Sequence, residues 1–228
     1  MPRFQLGDIS LEIPPENLGT RVQLALERGS FEHDEARALA RHFTAHDRLL
    51  DLGSGTGYMA CLAGRVAGGK AVTGVEALPD MVEAARANLL RNGIKGATVH
   101  WGAVVPESHG SAYVRFAARK QFWASSILRA GDRRYRAALE VPALRLSDLL
   151  RETGATVLSC DIEGGELALF ETDLPDRLRL VIIEIHPKVY GDAGVARVLD
   201  GLRRNDLVYC AKGSVGTTVV FRRIGRDA

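Results

Sequence analysis

Short apolar segments alternate with segments of helical composition through much of this 228-residue sequence. Five of them predict buried strands: DRLLDLG (47–53), KAVTGVE (70–76), ATVHWG (97–102), TVLSCD (156–161) and RLVIIEIH (179–186). Helices are predicted at 57–69 and 78–93, between the first three strands. This alternation favours an α/β fold with a doubly wound, mostly parallel sheet. The segment DLVYCAKGSVGTTVVFRR (206–223) predicts an antiparallel pair at the sheet edge.

Two further regions lie outside this alternation, within what we predict to be a single domain over residues 1–228. Residues 1–46 form an N-terminal extension, in which FEHDEARALARHF (31–43) has the pattern of an amphipathic helix. Residues 103–145 form an insert between the third and fourth strands. Three of its segments predict short strands: AYVRFA, FWASSIL and ALEVPAL. Its eight lysines and arginines either form a solvated surface or attract an anionic substrate or a nucleic acid.

The composition disfavours several classes of protein. A formal net charge of +2 is too small to indicate nucleic-acid binding on its own. Cys61, Cys160 and Cys210 lack the spacing of a disulfide framework or a zinc site, so we expect free thiols. The N-terminal residues contain no apolar signal segment, and no apolar run approaches the ~18 residues of a membrane span. We therefore expect a cytoplasmic protein without membrane contact, and whether copies of it form a homo-oligomer stays open.

The segment DLGSGTGYM (51–59) predicts a ligand-binding turn between the first strand and the first helix. Gly53, Gly55 and Gly57 allow a sharp turn and a close approach of the backbone to a ligand. The dinucleotide fingerprint G-x-G-x-x-G requires glycine where this chain has Tyr58. Asp51 would also repel a pyrophosphate, whereas it suits the cationic amino group of S-adenosylmethionine. The spacing therefore disfavours a nicotinamide oxidoreductase and favours S-adenosylmethionine.

The end of the second strand supports the same cofactor. Glu76 lies where a carboxylate accepts hydrogen bonds from both hydroxyl groups of a ribose.

Three carboxylates crowd the end of the fourth strand, in LSCDIEGGE (158–166). Ligands of open α/β sheets bind at the carboxyl ends of strands, so we expect Asp161 to face the methionine amino group or the substrate. Glu163 points to the same side if the chain stays extended. Glu166 begins a helix, where a carboxylate has either a functional role or only a favourable interaction with the helix dipole.

The fifth strand ends in IEIH, which places Glu184 and His186 on one face of an extended chain. We expect His186 to be a general base oriented by Glu184, or else a capping residue, with Glu163 as the alternative base. A magnesium ion held by Asp161, Glu163 and Glu166 is a further alternative, because clustered oxygens suit a hard cation. No metal is predicted.

Several segments together resemble the FkbM-type family of class I S-adenosylmethionine-dependent methyltransferases. The aspartate and G-x-G-x-G of residues 51–57 are similar to the first motif of the whole superfamily. CDIEGGE (160–166) is the most specific resemblance to the FkbM branch. Ser54-Gly55-Thr56 replaces the alanine-asparagine pair that this branch usually has. The other similar segments are GSFE (29–32) with Glu35, Asn88, Ser125-Ser126, LRLSDLL (144–150) and IEIH (183–186).

This resemblance implies a Rossmann-like fold and O-methylation of a hydroxyl group on a small molecule, a saccharide or a natural product. The cofactor-binding residues that we predict are Glu32, Asp51, Gly53, Ser54, Gly55, Gly57, Glu76, Gly102 and Asp161. A nucleic-acid methyltransferase is an alternative, suggested by the basic insert with Phe122 and Trp123, whose rings could stack on bases. The fourth strand lacks the Asn-Pro-Pro-Tyr type of sequence of such enzymes, so nucleic acid is not the expected partner. A second alternative is a protein that binds S-adenosylmethionine without turnover.

Overall fold

The computed structural model describes residues 1–129 and 131–225. Its strands are β1 (Arg3–Leu6), β2 (Ile9–Glu12), β3 (Leu49–Leu52), β4 (Val72–Glu76), β5 (Thr98–Trp101), β6 (Ala103–Val105), β7 (Tyr113–Ala118), β8 (Ser126–Ile127), β9 (Ala137–Arg145), β10 (Val157–Cys160), β11 (Leu180–Glu184), β12 (Leu207–Tyr209) and β13 (Thr218–Arg223). Its α-helices are α1 (Thr20–Glu27), α2 (His33–His42), α3 (Tyr58–Ala67), α4 (Pro79–Arg91), α5 (Leu146–Thr153) and α6 (Pro187–Arg204). A 3₁₀ helix spans Gly165–Glu171.

A seven-stranded sheet forms the centre of the fold, in the order β12-β13-β11-β10-β3-β4-β5. The five strands from β11 to β5 are parallel, and β13 is antiparallel to both β11 and β12. The predicted doubly wound sheet and its antiparallel C-terminal edge are therefore confirmed. From β3 the chain proceeds outward to β5 and later returns to β10 on the other side of β3. This reversal creates a crevice at the carboxyl ends of β3 and β10, where α/β folds bind ligands.

The central strands are apolar on both faces because helices cover both sides of the sheet. All four residues of β3 and all four of β10 are buried. Successive residues of these strands alternate between two core clusters: Leu49 and Val157 pack with α2, α3 and α4, whereas Leu50 and Leu158 pack with α5 and α6. Burial of each such side chain contributes roughly 1.5–3 kcal/mol. The rigid core thus fixes the strand ends that carry the polar residues of the crevice.

The N-terminal extension packs against the helices that follow the glycine turn. The predicted helix at 31–43 is confirmed as α2, and β1 and β2 form a hairpin. Asn88 of α4 joins this hairpin to the turn. Its amide nitrogen donates to the carbonyls of Glu12 and Thr56, each at 3.0 Å. The extension therefore supports the turn from behind.

The insert forms a second sheet, in the order β6-β9-β7-β8, that covers one end of the crevice. The prediction of a strand over FWASSIL is wrong for its first half. Residues Phe122–Ala124 form a 3₁₀ turn, and only Ser126–Ile127 pair as a strand. The turn directs the Phe122 ring onto the glycine turn, a tertiary contact that a local apolar pattern does not reveal. Within residues 1–129 and 131–225, no helix is both long and apolar enough to cross a bilayer.

Candidate active site

Three glycines shape the turn between β3 and α3, and the first two of them line the crevice. Gly53, Gly55 and Gly57 all adopt left-handed backbone conformations, with φ of 81°, 49° and 78°. A Cβ atom on Gly53 would lie 1.9 Å from the carbonyl oxygen of Asp161, and one on Gly55 would lie 2.8 Å from the Phe122 ring. Only glycine satisfies both the backbone conformation and the close packing. The predicted strand, turn and helix are confirmed here.

Glu76, the last residue of β4, fixes the shape of this turn. Its two carboxylate oxygens accept hydrogen bonds from the backbone amides of Gly55 at 2.9 Å and Leu78 at 2.8 Å. The side chain is buried, and burial raises the pKa of Glu76 above its ordinary value. The carboxylate also lines the crevice cavity, so it both holds the turn and faces a bound ligand.

The crevice contains a cavity of about 640 Å³, including its open mouth. Six of the nine predicted cofactor-binding residues line it: Glu32, Gly53, Gly55, Glu76, Gly102 and Asp161. Its opposite wall is apolar and comes from the insert, through Phe116, Phe122 and Trp123.

The other three predicted residues, Asp51, Ser54 and Gly57, lie behind this cavity rather than in its lining. Asp51 lies inside β3, where its side chain is buried and burial raises its pKa to about 6. The Ser54 hydroxyl donates to the Asp51 carbonyl at 2.9 Å. The sequence predicts that Asp51 faces the methionine amino group, but Asp51 is not among the acids in the cavity lining, which are Glu32, Glu76, Asp161 and Glu163.

Asp161, Glu163, Glu166 and His186 form a polar cluster at the carboxyl ends of β10 and β11. His186 Nε2 lies 3.5 Å from Asp161 Oδ1 and 3.6 Å from Glu163 Oε2. The expectation of an extended chain after Asp161 is wrong, because Glu163 has a left-handed φ of 52° and Gly164 one of 94°. This tight turn nevertheless brings the Glu163 carboxylate to the same histidine.

Glu166 lies in the first turn of the 3₁₀ segment Gly165–Glu171, as predicted for a helix start, and it also contacts this histidine. Its side chain is fully buried, and Oε1 accepts a hydrogen bond from the Ile162 amide at 3.0 Å. The same oxygen lies 3.3 Å from His186 Nδ1. Burial disfavours a charged imidazole, but Glu166, Asp161 and Glu163 outweigh it and raise the pKa of His186 to about 9.

Glu184 lies apart from this histidine. The hydroxyl of Thr217 donates to Glu184 Oε1 at 3.0 Å, on the side of the cleft that faces α2. His186 belongs to the turn that begins α6, so it no longer shares the alternation of β11. The carboxylate beside His186 Nδ1 is therefore Glu166, and the expected orientation by Glu184 is corrected.

Residues 44–207 match the family model described as the methyltransferase FkbM domain, which covers most of the chain. The chain belongs to this family. Its glycine turn and strand-end acids thus belong to a methyltransferase FkbM domain. The matched range contains the glycine turn, Glu76 and the whole polar cluster, whereas Glu32 precedes it.

Curated relatives of this FkbM-family chain are also methyltransferases. Over 68 residues, 30% of this chain and 27% of the relative, it is 43% identical to a protein-L-isoaspartate O-methyltransferase of Methanoculleus marisnigri. Over 85 residues, 34% of this chain and 33% of the relative, it is 39% identical to the ribosomal protein L11 methyltransferase of Thermus thermophilus. The chain thus aligns with a third or less of the length of either relative.

Solved structures with a similar backbone include a methyltransferase from Pyrococcus furiosus. It has a TM-score of 0.47 and 14% identity, over 96% of this chain and 90% of that one. The tRNA (uracil-54, C5)-methyltransferase of Pyrococcus abyssi, in complex with S-adenosylhomocysteine, has a TM-score of 0.48 and 14% identity, over 97% of this chain and 42% of that one.

The aromatic residues around the mouth of the cavity were not predicted as part of the cofactor site. Phe31 stacks on Trp123 with ring centroids 6.2 Å apart and an interplanar angle of 7°, and it contacts Phe122 at 6.1 Å. The Tyr58 ring also packs against Phe31, with centroids 6.3 Å apart. Sequence had singled out Phe122 and Trp123 as an adjacent aromatic pair, but their position over the glycine turn depends on the fold of the insert.

A methyl group added at Gly53 is expected to disrupt the crevice. Gly53→Ala forces β3 and β10 apart at the Asp161 carbonyl, which we expect to cost about 1–3 kcal/mol beyond the backbone strain. It should also weaken the binding of S-adenosylhomocysteine at least tenfold, as calorimetry would measure.

Gly93→Ala is the matched control for this change. Gly93 also has a left-handed φ of 77°, but a Cβ there meets no atom within 4 Å. It should therefore cost only the roughly 1–2 kcal/mol of left-handed strain and leave affinity unchanged. Equal effects of the two substitutions would contradict a steric role of Gly53 in the site.

Proposed function

We propose that this FkbM-family enzyme transfers a methyl group from S-adenosylmethionine to a hydroxyl oxygen of a small polyhydroxylated molecule, such as a saccharide or another natural product. The proposal rests mainly on the polar cluster of Asp161, Glu163 and His186. This cluster lies beside the cofactor cavity and also opens onto a second cleft. A hydroxyl group bound in that cleft reaches both the reacting methyl group and the residues that assist loss of its proton.

The residues of the cavity fit S-adenosylmethionine. Gly53 and Gly55 expose backbone where a side chain would collide, and the Glu76 carboxylate faces the cavity at the place suited to a ribose. Glu32 and Asp161 offer carboxyl oxygens for an amino group. Burial and neighbouring acids raise the pKa of both carboxyls, and a bound cationic amino group would favour their charged forms. The bound cofactor supplies a methyl group on a positively charged sulfur, which is the leaving group of an in-line displacement. The protein's share is alignment and exclusion of water, and alignment alone contributes roughly 7–11 kcal/mol.

The second cleft supports a neutral or cationic acceptor. Its lining carries many carboxylates, and in the part of the chain that the structure describes it includes no lysine or arginine. The lining residues are Ser30, Phe31, Glu32, His33, Asp34, Glu35, Trp123, Asp161, Glu163, Glu184, Thr217 and Thr218. Carboxylates and hydroxyls hydrogen-bond to sugar hydroxyls, and aromatic rings pack on the apolar faces of sugars. The same charge repels phosphate groups.

A nucleic-acid acceptor is the second candidate, because the insert is basic. Several of its arginines make contacts within the protein itself. Arg119 lies 3.4 Å from Asp132, and Arg129 donates to the Glu163 carbonyl at 2.6 Å. Arg136 donates to the Glu16 carbonyl at 3.2 Å. The basic residues of the insert therefore support the surface around the cleft, and the acidic cleft itself opposes a phosphate backbone.

Transfer of tritium from methyl-labelled S-adenosylmethionine would test this function. Neutral sugars, aminosugars, uronic acids and bulk RNA serve as acceptors under identical conditions. We expect base-stable label on neutral or amino-substituted polyols, and neither uronic acids nor RNA should accept label. Labelling of RNA in preference to every polyol would overturn the proposed acceptor class. Tight cofactor binding without transfer to any acceptor would favour a protein that binds the cofactor without turnover.

A further inference from the structure

We propose that Asp161, Glu163 and His186 bind a divalent transition-metal cation at the mouth of the cofactor cavity. One carboxylate oxygen from each acid and one imidazole nitrogen all lie within 4.8 Å of one another. All three residues are partly buried, and Asp161 and Glu163 line the cleft through which an ion and its remaining water ligands would enter. This inference deepens the proposed O-methylation and rests on it for the role of the ion.

The distances between the three side chains fit ligands of one shared metal ion better than hydrogen bonds between the side chains. His186 Nε2 lies 3.5 Å and 3.6 Å from the two carboxylate oxygens. A hydrogen bond between an imidazolium and a carboxylate is shorter, about 2.7–2.9 Å. Two ligands of one ion, each bound at about 2.1 Å, lie about 3.0 Å apart at a right angle and about 3.4 Å apart at a tetrahedral angle. Small movements of the side chains therefore complete a site in which one ion contacts all three.

The buried groups behind the cluster give an independent indication of a cation. Glu166 has no exposed side-chain surface, and its Oε2 is buried without a hydrogen-bond partner. Asp161 Oδ1, the atom that faces His186, is likewise buried and unpartnered. Buried carboxylate oxygens without partners are costly, and a cation relieves that cost.

Glu166 also fits the second coordination shell of such a site. Its Oε1 lies 3.3 Å from His186 Nδ1, in a contact that is not aligned as a hydrogen bond, while Nε2 faces the two acids. A histidine that binds a metal through one nitrogen commonly donates its other N–H to a carboxylate, which fixes the tautomer and the ring orientation. The Ile162 amide in turn holds Glu166 at 3.0 Å. This chain of contacts presents Nε2 to the cluster.

The ligand set selects the kind of cation. Calcium prefers six to eight oxygen ligands, and magnesium usually keeps several waters with one or two carboxylates. An imidazole beside two carboxylates suits manganese, iron or zinc better. The earlier hypothesis of magnesium on Asp161, Glu163 and Glu166 thus becomes a transition-metal site in which His186 is a ligand and Glu166 supports it.

Such an ion would activate the methyl acceptor. The acceptor hydroxyl binds the ion through its oxygen, which lowers the pKa of the hydroxyl group. Its proton leaves to water at the cleft mouth. The oxygen then forms the new O–CH₃ bond while the C–S bond breaks, and the electron pair of that bond stays on sulfur. No oxidant or reductant is needed, so a redox-inactive cation suffices.

Titration of the full chain with Mn²⁺, followed by electron paramagnetic resonance and calorimetry, tests this site. We expect one saturable site in the wild type, and at least tenfold weaker binding in Asp161→Asn and Glu163→Gln. Glu166→Gln should weaken Mn²⁺ binding about 10–100-fold through the second shell. Glu184→Gln is the control, because it removes a nearby negative charge outside the group of three ligands and should weaken Mn²⁺ binding far less than Glu163→Gln does.

Two outcomes would overturn the metal site. One is the absence of saturable Mn²⁺ or Zn²⁺ binding by the wild type at millimolar concentration. The other is an equal loss of affinity in Glu184→Gln and Glu163→Gln, which would indicate diffuse attraction by negative charge. Glu163 lies on a partly accessible turn, so its variant keeps the test valid if Asp161→Asn unfolds. Titration of the same samples with S-adenosylhomocysteine separates the two proposals: its binding without Mn²⁺ binding refutes the ion alone, and failure of both refutes the cofactor site as well.

Discussion

Replacement of His186 by alanine is expected to lower the rate of methyl transfer by on the order of 10²–10⁴, the range of a residue that assists proton transfer. The imidazole lies among Asp161, Glu163 and Glu166, and the first two of these acids line both the cofactor cavity and the acidic cleft. It is absent from the lining of the cofactor cavity. Its loss should therefore affect kcat strongly, whereas the affinity for S-adenosylhomocysteine should stay nearly constant.

Steady-state kinetics with the best acceptor, together with calorimetry, would measure both quantities. His46→Ala is a matched control, because His46 is exposed in the turn before β3, at the opposite end of the sheet. It should match the wild type in both measurements. A fully active His186→Ala enzyme would remove this residue from the chemistry, and a variant that lost cofactor affinity in proportion to rate would assign it to binding instead.

Replacement of Asp47 by alanine is expected to reduce the free energy of unfolding by about 3 kcal/mol, because several donors lose a buried charged acceptor. The Asp47 carboxylate has 4% of its surface exposed and receives the Thr156 hydroxyl at 2.8 Å and Arg179 Nε at 2.7 Å. It also receives the amide and hydroxyl of Thr44, each at 2.8 Å. These contacts join the starts of β3, β10 and β11, far from the cofactor crevice.

The pH dependence of this effect follows from the same contacts. Burial opposes the charge, but hydrogen bonds from Arg179, Thr156 and Thr44 hold the pKa of Asp47 well below its ordinary value. Because its pKa is depressed, the Asp47 carboxylate stabilises the fold at pH values above about 3.9, the pKa of aspartate in an unfolded chain. This contribution is lost as the pH falls below that value. The difference between wild type and Asp47→Asn should thus be complete at neutral pH and shrink in acid.

Urea unfolding at several pH values would measure these differences. Asp148→Ala is the control, since Asp148 is an exposed partner of Arg151 on the surface of α5 and should change stability by less than about 1 kcal/mol. A neutral effect of Asp47→Ala, or a difference from Asp47→Asn that grows in acid, would contradict the proposed anchor.

The features that sequence predicts here are those that local chemistry determines. Gly53, Gly55 and Gly57 follow an apolar strand, and Glu76 ends the next one, so the turn and its ligand follow from spacing. Apolar strands between helices require burial on both faces and hence a doubly wound sheet. The family resemblance, carried by CDIEGGE and confirmed by the match over residues 44–207, depends on the same local segments.

The remaining features depend on contacts between distant segments. The left-handed conformation of Glu163 turns its carboxylate toward His186, which alternation in an extended chain does not anticipate. Glu166 contacts His186 from the end of an adjacent strand. The sequence pattern instead indicates Glu184 as the residue that orients His186, because Glu184 is nearer along the chain. Phe122 reaches the glycine turn only because the insert folds back over the crevice. Each of these contacts is fixed by tertiary packing rather than by composition or period.

Calorimetric titration of the purified protein with S-adenosylmethionine, S-adenosylhomocysteine and NAD tests the central claim most directly. Micromolar binding of the first two, weakened in Glu76→Ala and in Gly53→Ala, is the predicted result. Glu76→Ala removes the acceptor for the amides of Gly55 and Leu78 as well as the carboxylate in the cavity lining. Binding of NAD in place of both would contradict the assignment of the glycine turn and the proposed methyl transfer with it.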